Sequence, residues 1–307
     1  MNRGGMRAFL LLSFLGLSLA ACGSASAPLP PAPTVNNLAF ETGEFDVPAG
    51  GDSFQCFYTS VVTDKDIIVG NVVAQQGPGG HHVIVYYVDT VHPAEHHTCK
   101  DSEMVAWHQI AGAANGGEPA VKLPDATGLR VPKGKQIVVQ SHYINTTGAT
   151  EKVNDSIKIQ LLEAKDVKEY LNNWVINDGS FSIPASGPGK SVTACTVTQD
   201  LKSVIMLGHM HEHGVHHTLE RVDASGKSLE VLYDHAWKPE FASHPPLRTS
   251  PIDAPLDIPA GTRIQQTCQW DNPTPNPLTF PTEMCAGVIY YYPDNGFIVC
   301  DNQPVKP

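Results

Sequence analysis

Short strand-like segments, separated by turns rich in glycine and proline, run through most of this 307-residue chain and limit what it can fold into. The sequence holds 26 glycines and 25 prolines, which suit many brief strands joined by turns. Only residues 163–173 have a plausible helical pattern. The pattern predicts an all-β architecture of sandwich or jelly-roll type. The clearest predicted strands are 66–73, 82–88, 136–143, 156–162, 203–211, 228–233, 262–270 and 286–292.

The first 22 residues have the pattern of a bacterial lipoprotein signal peptide. Two arginines precede the apolar stretch 8–19, which is shorter than the roughly 20 residues that a membrane-spanning helix needs. The stretch ends in a lipobox-like Leu-Ala-Ala-Cys, so we expect Cys22 to be lipidated; the alternative is an ordinary signal peptide with an incidental cysteine. Residues 23–36 resemble a flexible Ser/Ala/Pro tether. Together they predict a protein anchored by lipid in the bacterial cell envelope, at the outer membrane, facing the periplasm or the exterior.

The length beyond the tether, about 270 residues, suits two domains of about 130 residues each. We place them at 37–168 and 169–307. No internal repeat is visible, and we expect a monomer.

The charge balance is strongly acidic, with 31 acidic and 20 basic residues and a net charge of −11. Without the two arginines of the signal peptide the balance is 18 basic against 31 acidic residues, or −13. Such a surface disfavours nucleic acid, and it disfavours contact with anionic membranes other than through the lipid. A small-molecule substrate is compatible with it.

Six cysteines follow the lipobox cysteine, an even number typical of disulfides in an exported chain. They allow 15 connectivities, and the residues alone do not choose among these. A metal cluster is the competing interpretation, but no CxxC pair occurs in the sequence. The cysteines are Cys56, Cys99, Cys195, Cys268, Cys285 and Cys300.

Three histidines alternate in Gly-His-Met-His-Glu-His-Gly, directly after the apolar run 204–207. On a strand, residues i and i+2 lie on one face, so His209 and His211 can direct two imidazoles at one metal ion. A thioether ligand is available at Met284, and two histidines with a methionine suit copper in its soft, reduced state. Alone, an HxH motif often binds no metal and a methionine often only fills the core.

A second histidine pair, His81 and His82, follows two glycines at the start of a predicted strand. Adjacent residues on a regular strand face opposite ways, so both can reach one metal ion only if the strand is distorted there or the two rings use different nitrogens. His142, at the end of another apolar run, is the third candidate. Taken alone, an HH pair is usually a surface feature and a single histidine is usually a hydrogen-bonded core residue. His213, His216 and His217 also lie near the HxH motif, but we do not expect them to bind copper.

The joint order of these motifs resembles the copper type II, ascorbate-dependent monooxygenases, the family of peptidylglycine α-hydroxylating monooxygenase and dopamine β-monooxygenase. The resemblance extends over about residues 54–300. In that family an HH pair and a later histidine in an HY motif hold one copper, and an HxH motif with a methionine in an EMC motif holds the other. The matching residues here are His81, His82 and His142 for the first copper, and His209, His211 and Met284 for the second.

The resemblance implies two tandem jelly-roll domains, each carrying one copper ion, which face each other across a solvent-filled cleft. It implies hydroxylation of a substrate C–H bond with O2 and with ascorbate or a similar one-electron reductant as co-substrate. The second copper site would be catalytic, and the first would supply the second electron. The implied disulfides are Cys56–Cys99, Cys195–Cys300 and Cys268–Cys285.

Three positions depart from the peptide-amidating members of that family, which grip a peptide carboxylate with an arginine, an asparagine and a tyrosine. This chain has Leu207, Ala286 and Val288 there. Without that clamp we expect a small neutral or aromatic substrate instead of a peptidylglycine.

Two alternative functions remain open from the sequence. The first is a copper-binding or electron-transfer lipoprotein that has the sites and no oxygenase activity. The second is a sandwich that binds a carbohydrate or peptide and uses no metal.

Overall fold

The computed structural model describes residues 1, 36–104, 106–280 and 282–301, and nearly all of its regular structure is β-strand. The prediction of an all-β sandwich fold is confirmed. Apart from residue 1, the predicted signal peptide with Cys22 lies outside the described residues, and so does all of the predicted tether except residue 36. Within the described part, no helix is long and apolar enough to span a membrane.

In the described ranges, twelve strands precede residue 162, and twelve follow it. The first twelve are β1 (Asn36–Glu41), β2 (Phe45–Val47), β3 (Gly51–Val62), β4 (Ile67–Gln75), β5 (Gly80–Val88), β6 (Glu95–Thr98), β7 (His108–Ala114), β8 (Glu118–Pro119), β9 (Thr127–Val131), β10 (Gln136–Asn145), β11 (Glu151–Val153) and β12 (Ser156–Leu161). The others are β13 (Glu169–Asn177), β14 (Ser182–Ile183), β15 (Gly187–Thr196), β16 (Leu201–His209), β17 (Gly214–Val222), β18 (Ser228–Ala236), β19 (Arg248–Thr249), β20 (Leu256–Ile258), β21 (Arg263–Asn272), β22 (Leu278–Thr279), β23 (Ala286–Tyr292) and β24 (Ile298–Asp301). The described helices are single turns: α1 (Asp101–Met104) and the 3₁₀ segments Ala164–Asp166 and Pro239–Ala242.

Three sheets carry most of these strands. The largest has ten strands in the order β1-β12-β4-β9-β13-β23-β16-β19, with β20 also paired to β16 and β24 to β13. A six-stranded sheet has the order β6-β3-β10-β5-β7-β8, and a four-stranded sheet the order β15-β21-β17-β18. The largest sheet runs across the predicted domain boundary, because β9 pairs with β13. The described chain from residue 36 onward belongs to one compact unit, and the division at 168/169 stays a prediction.

The predicted helix at 163–173 is wrong. A single 3₁₀ turn at Ala164–Asp166 is followed by β13, which lies between β9 and β23. Leu171 and Asn173 are fully buried on this strand. Pairing to neighbours on both sides supplies the strand with backbone hydrogen bonds that a short helical pattern cannot match, so tertiary context decides the conformation.

Strand alternation on β5 divides the fold into a core face and a face toward the candidate site. Val83 and Val85 are completely buried in the main apolar core. Their neighbours His82, Ile84 and Tyr86 have the opposite orientation and line a cavity. The same strand therefore anchors the core and presents the candidate functional residues.

The three implied disulfides are confirmed: Cys56–Cys99, Cys195–Cys300 and Cys268–Cys285. The last one joins β21 to the residue just before β23, and its cysteines are 17 positions apart. In the chain-entropy model a loop of this size contributes about 3 kcal/mol to stability. It also fixes the loop that carries Met284.

Candidate metal centre

Three imidazoles from β5 and β10 converge on one point. The Nδ1 atom of His81 lies 3.2 Å from Nδ1 of His142 and 3.2 Å from Nδ1 of His82. The three candidate ligand atoms all lie within 4.8 Å of one another. The structure therefore brings together the three residues that the sequence proposed for the first copper.

A local distortion of β5 makes this convergence possible, which is one of the two arrangements that the adjacent histidines left open. His142 pairs with His82, but the next residue of β10 pairs with Gly80, so His81 is an extra residue in the ladder. A side chain at Gly80 would place its Cβ 2.3 Å from the Cβ of Gln76, so only glycine fits there. The bulge turns His81 toward the same side as its neighbour.

Asp52 fixes the orientation of the His142 ring. Its Oδ1 atom lies 3.0 Å from Nε2 of His142, and Phe54 stacks on the same ring at 4.0 Å between centroids. Nε2–H donates to the carboxylate, which leaves the Nδ1 lone pair free for a metal ion. Burial tends to raise the pKa of Asp52, but the hydrogen bond and charge of His142 lower it overall. The carboxylate is therefore ionised at neutral pH, as this role requires.

Two imidazoles of this set, His81 and His82, are held neutral. Burial, reinforced by the charge of His142, lowers the pKa of His81 to about 4. The same two causes lower the pKa of His82 well below its ordinary value. Neutral rings carry the lone pairs that metal binding needs, so these two residues are ready to coordinate without first losing protons.

The HxH histidines lie beside each other, although only one of them is on a strand. β16 ends at His209, so the prediction of a regular strand through residue 211 is wrong. The intervening Met210 is completely buried, and the rings of His209 and His211 are still only 5.2 Å apart between centroids. The chain leaves the sheet here because the next backbone amides bond to a side chain instead of to a strand.

That side chain is Glu283, which is completely buried. Its carboxylate accepts hydrogen bonds from the backbone N–H of His211 at 3.1 Å and of His213 at 2.7 Å, and from Nε1–H of Trp270 at 3.0 Å. Burial raises the pKa of this carboxyl to about 7, and the hydrogen bonds oppose that rise. Glu283 thus joins the HxH turn to the loop that carries Met284. From the sequence it was only the acidic residue beside a candidate ligand.

One nitrogen of His211 is buried and unpartnered. Its Nδ1 lies 3.0 Å from the carbonyl oxygen of Thr282 and donates to it. Nε2 has no hydrogen-bond partner among the described residues. Burial lowers the pKa of this ring to about 4, so Nε2 carries a lone pair at neutral pH. A buried lone pair without a partner is unfavourable unless something binds it, which fits a metal ligand.

The two histidine sets are in contact, contrary to the implied solvent-filled cleft. The ring centroids of His82 and His209 are 5.7 Å apart, and those of His142 and His211 are 5.4 Å apart. Phe54 stacks on His142 and lies 6.2 Å from His211, also in a stacked orientation. Aromatic rings attract one another at such distances, and rings this close leave no layer of water between the sets.

A cavity of about 950 Å³ begins at the histidines, with His82, His209 and Met284 in its wall. Met284 is half-buried there, beside Glu283. Its role as the third ligand of the second copper stays a prediction. The volume is within the range of sites that bind small molecules.

The cavity wall has no ionisable acid or base other than histidine and tyrosine. No aspartate, glutamate, lysine or arginine occurs among the described residues that form it. Leu207, Ala286 and Val288, the three positions that lack the peptide-carboxylate clamp, all lie in this wall. The departures from the peptide-amidating pattern therefore occur together on one apolar surface.

Two other histidines near the HxH motif have surroundings different from those of the five histidines described above. His217 is completely buried under Gly208, where a side chain would place its Cβ 2.5 Å from the imidazole. Burial lowers the pKa of His217 to about 4. His216 pairs with Asp234 at 2.6 Å on the surface.

No protein-family model matches the chain, and no curated protein is similar to it. Several solved structures are distantly similar. The major capsid protein of STIV has a TM-score of 0.32 and 9% identity, over 84% of this chain and 96% of that one. A putative secreted protein from Parabacteroides distasonis has a TM-score of 0.20 and 8% identity, over 84% of this chain and 88% of that one. With TM-scores this low, these similarities carry no information about the activity of this chain.

Proposed function

We propose that this chain is a copper-dependent monooxygenase that hydroxylates a C–H bond of a small organic substrate with O2 and a one-electron donor such as ascorbate. The observation that supports it most is the meeting of five histidines at a cavity whose described wall carries no acidic or basic side chain other than histidine and tyrosine. A metal site at the end of a substrate-sized cavity is the arrangement that a metal-dependent oxidation needs.

The donor set fits copper. Three imidazole nitrogens, from His81, His82 and His142, would hold one ion, and His209, His211 and Met284 the other. Imidazole suits copper in both oxidation states, and the thioether favours the reduced one. When bound, copper would supply one-electron redox chemistry and a site for reaction with O2.

The protein's own groups would prepare these ligands in three ways. Asp52 and the Thr282 carbonyl each hold one ring nitrogen in its protonated form, so that the opposite nitrogen is free to coordinate. Glu283 ties the HxH turn to the methionine loop. The apolar wall around Leu207 excludes water from the end where the C–H bond would lie.

The contact between the two histidine sets bears on the supply of electrons. With 5.4 Å between the rings of His142 and His211, an electron passing from the first set to the second would cross packed imidazoles instead of bulk water. This replaces the solvent-filled cleft that the family resemblance implied.

The first experiment is a copper titration of the metal-free chain without residues 1–22, beside its Met284→Ala variant. We expect two copper ions per parent chain and one tightly bound copper in the variant. Ascorbate-dependent O2 uptake by the copper-loaded parent, slow without substrate, should follow. A parent that binds one copper or none would contradict the proposal.

The alternative is a copper-binding or electron-transfer protein without oxygenase activity. The close packing of the two histidine sets favours it, since five crowded imidazoles can surround copper and leave little room for O2. The two functions differ in one measurement. A copper-loaded protein that consumes no O2 with ascorbate would support the alternative.

The place in the cell and the oligomeric state belong to the same proposal. Lipid attachment at Cys22 would hold a monomer in the bacterial envelope, and the acidic composition disfavours nucleic acid as a partner. Metabolic labelling with a clickable palmitate analogue tests the anchor, since Cys22→Ala should abolish incorporation.

A further inference from the structure

Two stripes of side chains line the cavity from the histidines outward. On β5 the stripe is His82, Ile84 and Tyr86; on β23 it continues from Ala286 through Val288 to Tyr290. The first residue of the second stripe pairs with His209 on β16. Residues i and i+4 of a strand are roughly 13 Å apart, so each stripe places a tyrosine about that far from the histidine end.

Tyr290 differs from the other buried tyrosines of the described chain. Tyr143, Tyr233, Tyr291 and Tyr292 each donate their hydroxyl to a carboxylate or a backbone carbonyl, and Tyr58 accepts from Trp107. The hydroxyl of Tyr290 has no hydrogen-bond partner in the described part of the chain, and neither does that of Tyr86, which is half-buried. Neither oxygen is among the fully buried atoms without a partner, so both hydroxyls can be reached from the cavity. Tyrosine hydroxyls in largely apolar surroundings normally have a partner.

Both unpartnered tyrosines lie in the wall of the same cavity. Burial raises the pKa of each, so both hydroxyls stay protonated and can donate. A hydrogen-bond acceptor on a bound molecule would satisfy them. Between them and the histidines the wall is mainly apolar, with Ile84 on one side and Val288 on the other, and its polar groups include the uncharged amides of Gln140 and Asn177.

The charge of the wall restricts the molecule further. An ion entering the cavity would lose its water and find no oppositely charged partner among the described wall residues. Burying an unpaired ion is strongly unfavourable, so carboxylates and ammonium ions are disfavoured.

We propose that the cavity binds an uncharged, mainly apolar molecule up to about 13 Å long, with a hydroxyl, carbonyl or ether oxygen at one end. That oxygen accepts a hydrogen bond from Tyr86 or Tyr290, and the opposite, hydrocarbon end lies against His209 and Met284. The inference rests on the proposed function for the statement that the hydrocarbon end is the one hydroxylated. Binding itself does not depend on copper.

Matched probes test the charge requirement. Isothermal titration calorimetry on the metal-free chain without residues 1–22 would compare 4-phenylbutan-1-ol, 4-phenylbutyrate and 4-phenylbutylamine at pH 7. These share one carbon skeleton and differ in charge. We expect the neutral alcohol to bind at least tenfold more tightly than either ion. An ion that binds as tightly as the alcohol, or no binding of the alcohol at millimolar concentration, would overturn the proposal.

Two Tyr→Phe variants test whether the tyrosine hydroxyls donate a hydrogen bond to the oxygen of the bound molecule. Tyr290→Phe and Tyr86→Phe remove one hydroxyl each, and one or both should weaken binding of 4-phenylbutan-1-ol by about three- to tenfold. Binding of butylbenzene, which has no acceptor, should not weaken. Tyr87→Phe is the matched control, because Tyr87 is the next residue on β5, lies outside the cavity wall and stacks on His108. Unchanged alcohol binding in both cavity variants would refute the assigned role of the tyrosines.

A variant that fills the cavity tests whether the neutral probes bind there. Val288→Phe should weaken both neutral probes at least fivefold, whereas Val192→Phe on the exposed face of β15 should not. If Val288→Phe does not fold, the binding measurements on Tyr290→Phe and Tyr86→Phe still test the proposal. The test of the cavity is separate from the test of the proposed function. Tight binding of the neutral probes without O2 uptake would contradict only the proposed oxygenase activity. O2 uptake together with preferred binding of an ion would contradict only the proposed cavity ligand.

Discussion

The two histidine sets are positioned by different means. The set at His81, His82 and His142 is built into paired strands, and its geometry follows from the register of β5 against β10 and one bulge. The HxH set lies where β16 ends, and its position depends on one buried carboxylate and a disulfide. Backbone ladders spread the positional restraint over many bonds, whereas a single side chain concentrates it. The second set should therefore be the more sensitive to changes in residues that are not themselves ligands.

The largest expected effect is the loss of substrate hydroxylation when a proposed copper ligand of either histidine set is removed. Met284→Ala should abolish substrate hydroxylation. Copper should remain at the three-histidine set, because all three histidines of that set are unchanged in this variant. His142→Ala should remove the other copper and block delivery of the second electron. Copper stoichiometry with single-turnover product yield measures both.

Leu278→Ala, a half-buried apolar residue on β22 outside the cavity wall, serves as the control and should keep both copper ions. Normal hydroxylation by the Met284 variant would mean that this methionine is not a ligand. Normal product yield from the His142 variant would mean that the first set has no electron-transfer role.

The next effect tests the single carboxylate that holds the HxH turn. Glu283→Ala leaves three buried N–H donors without their acceptor, those of His211, His213 and Trp270. Each unpaired buried donor costs about 1–3 kcal/mol, so the loss of stability should be at least about 3 kcal/mol. Urea unfolding at pH 7 measures it.

Glu212→Ala is the matched control, because Glu212 is exposed in the same turn. It should change stability by less than about 0.5 kcal/mol. A Glu283 variant as stable as this control would show that the turn is held by something other than the carboxylate.

The strands around both sets could be predicted from the sequence, and the residues that support the ligands could not. Alternation and turns predicted β23 with its observed bounds, and the HH pair indicated a strand distortion as one of two alternatives. Asp52 and Glu283 gave no usable local signal, because their roles arise from contacts with residues 90 and 72 positions away. Such contacts depend on strand register and on where the chain leaves the sheet, and no local pattern encodes either.

A smaller effect concerns acid stability beside the HxH set. Burial lowers the pKa of His217 from 6.5 to about 4, so the folded protein binds this proton less readily than the unfolded chain does. The stability it contributes is present above pH 6.5 and is lost as the pH falls toward 4. The shift corresponds to a loss on the order of 3 kcal/mol at most.

Urea unfolding of the metal-free protein at pH 7 and at pH 4.5 measures this loss. His217→Gln should reduce the difference in stability between the two pH values, because the variant has no proton to gain there. His92→Gln, at an exposed histidine, should leave the difference unchanged. Equal pH dependence in the parent and in His217→Gln would contradict the account.

The smallest expected effect concerns Asp52, the carboxylate that orients His142 in the three-histidine set. Asp52→Ala removes the acceptor that holds Nε2–H of His142, so the ring can rotate or protonate at the ligand nitrogen. Loss of such a partner weakens metal binding by about 10- to 100-fold, and we expect the lower end because Asp52 is partly exposed. Chelator competition for the copper that Met284→Ala retains measures the affinity, with Asp52→Ala added to that background. Asp46→Ala, at an exposed aspartate paired with Lys152, is the control and should leave the affinity unchanged. A loss below twofold for Asp52→Ala would mean that the strand register alone orients His142, and would make the contrast between the two sets greater still.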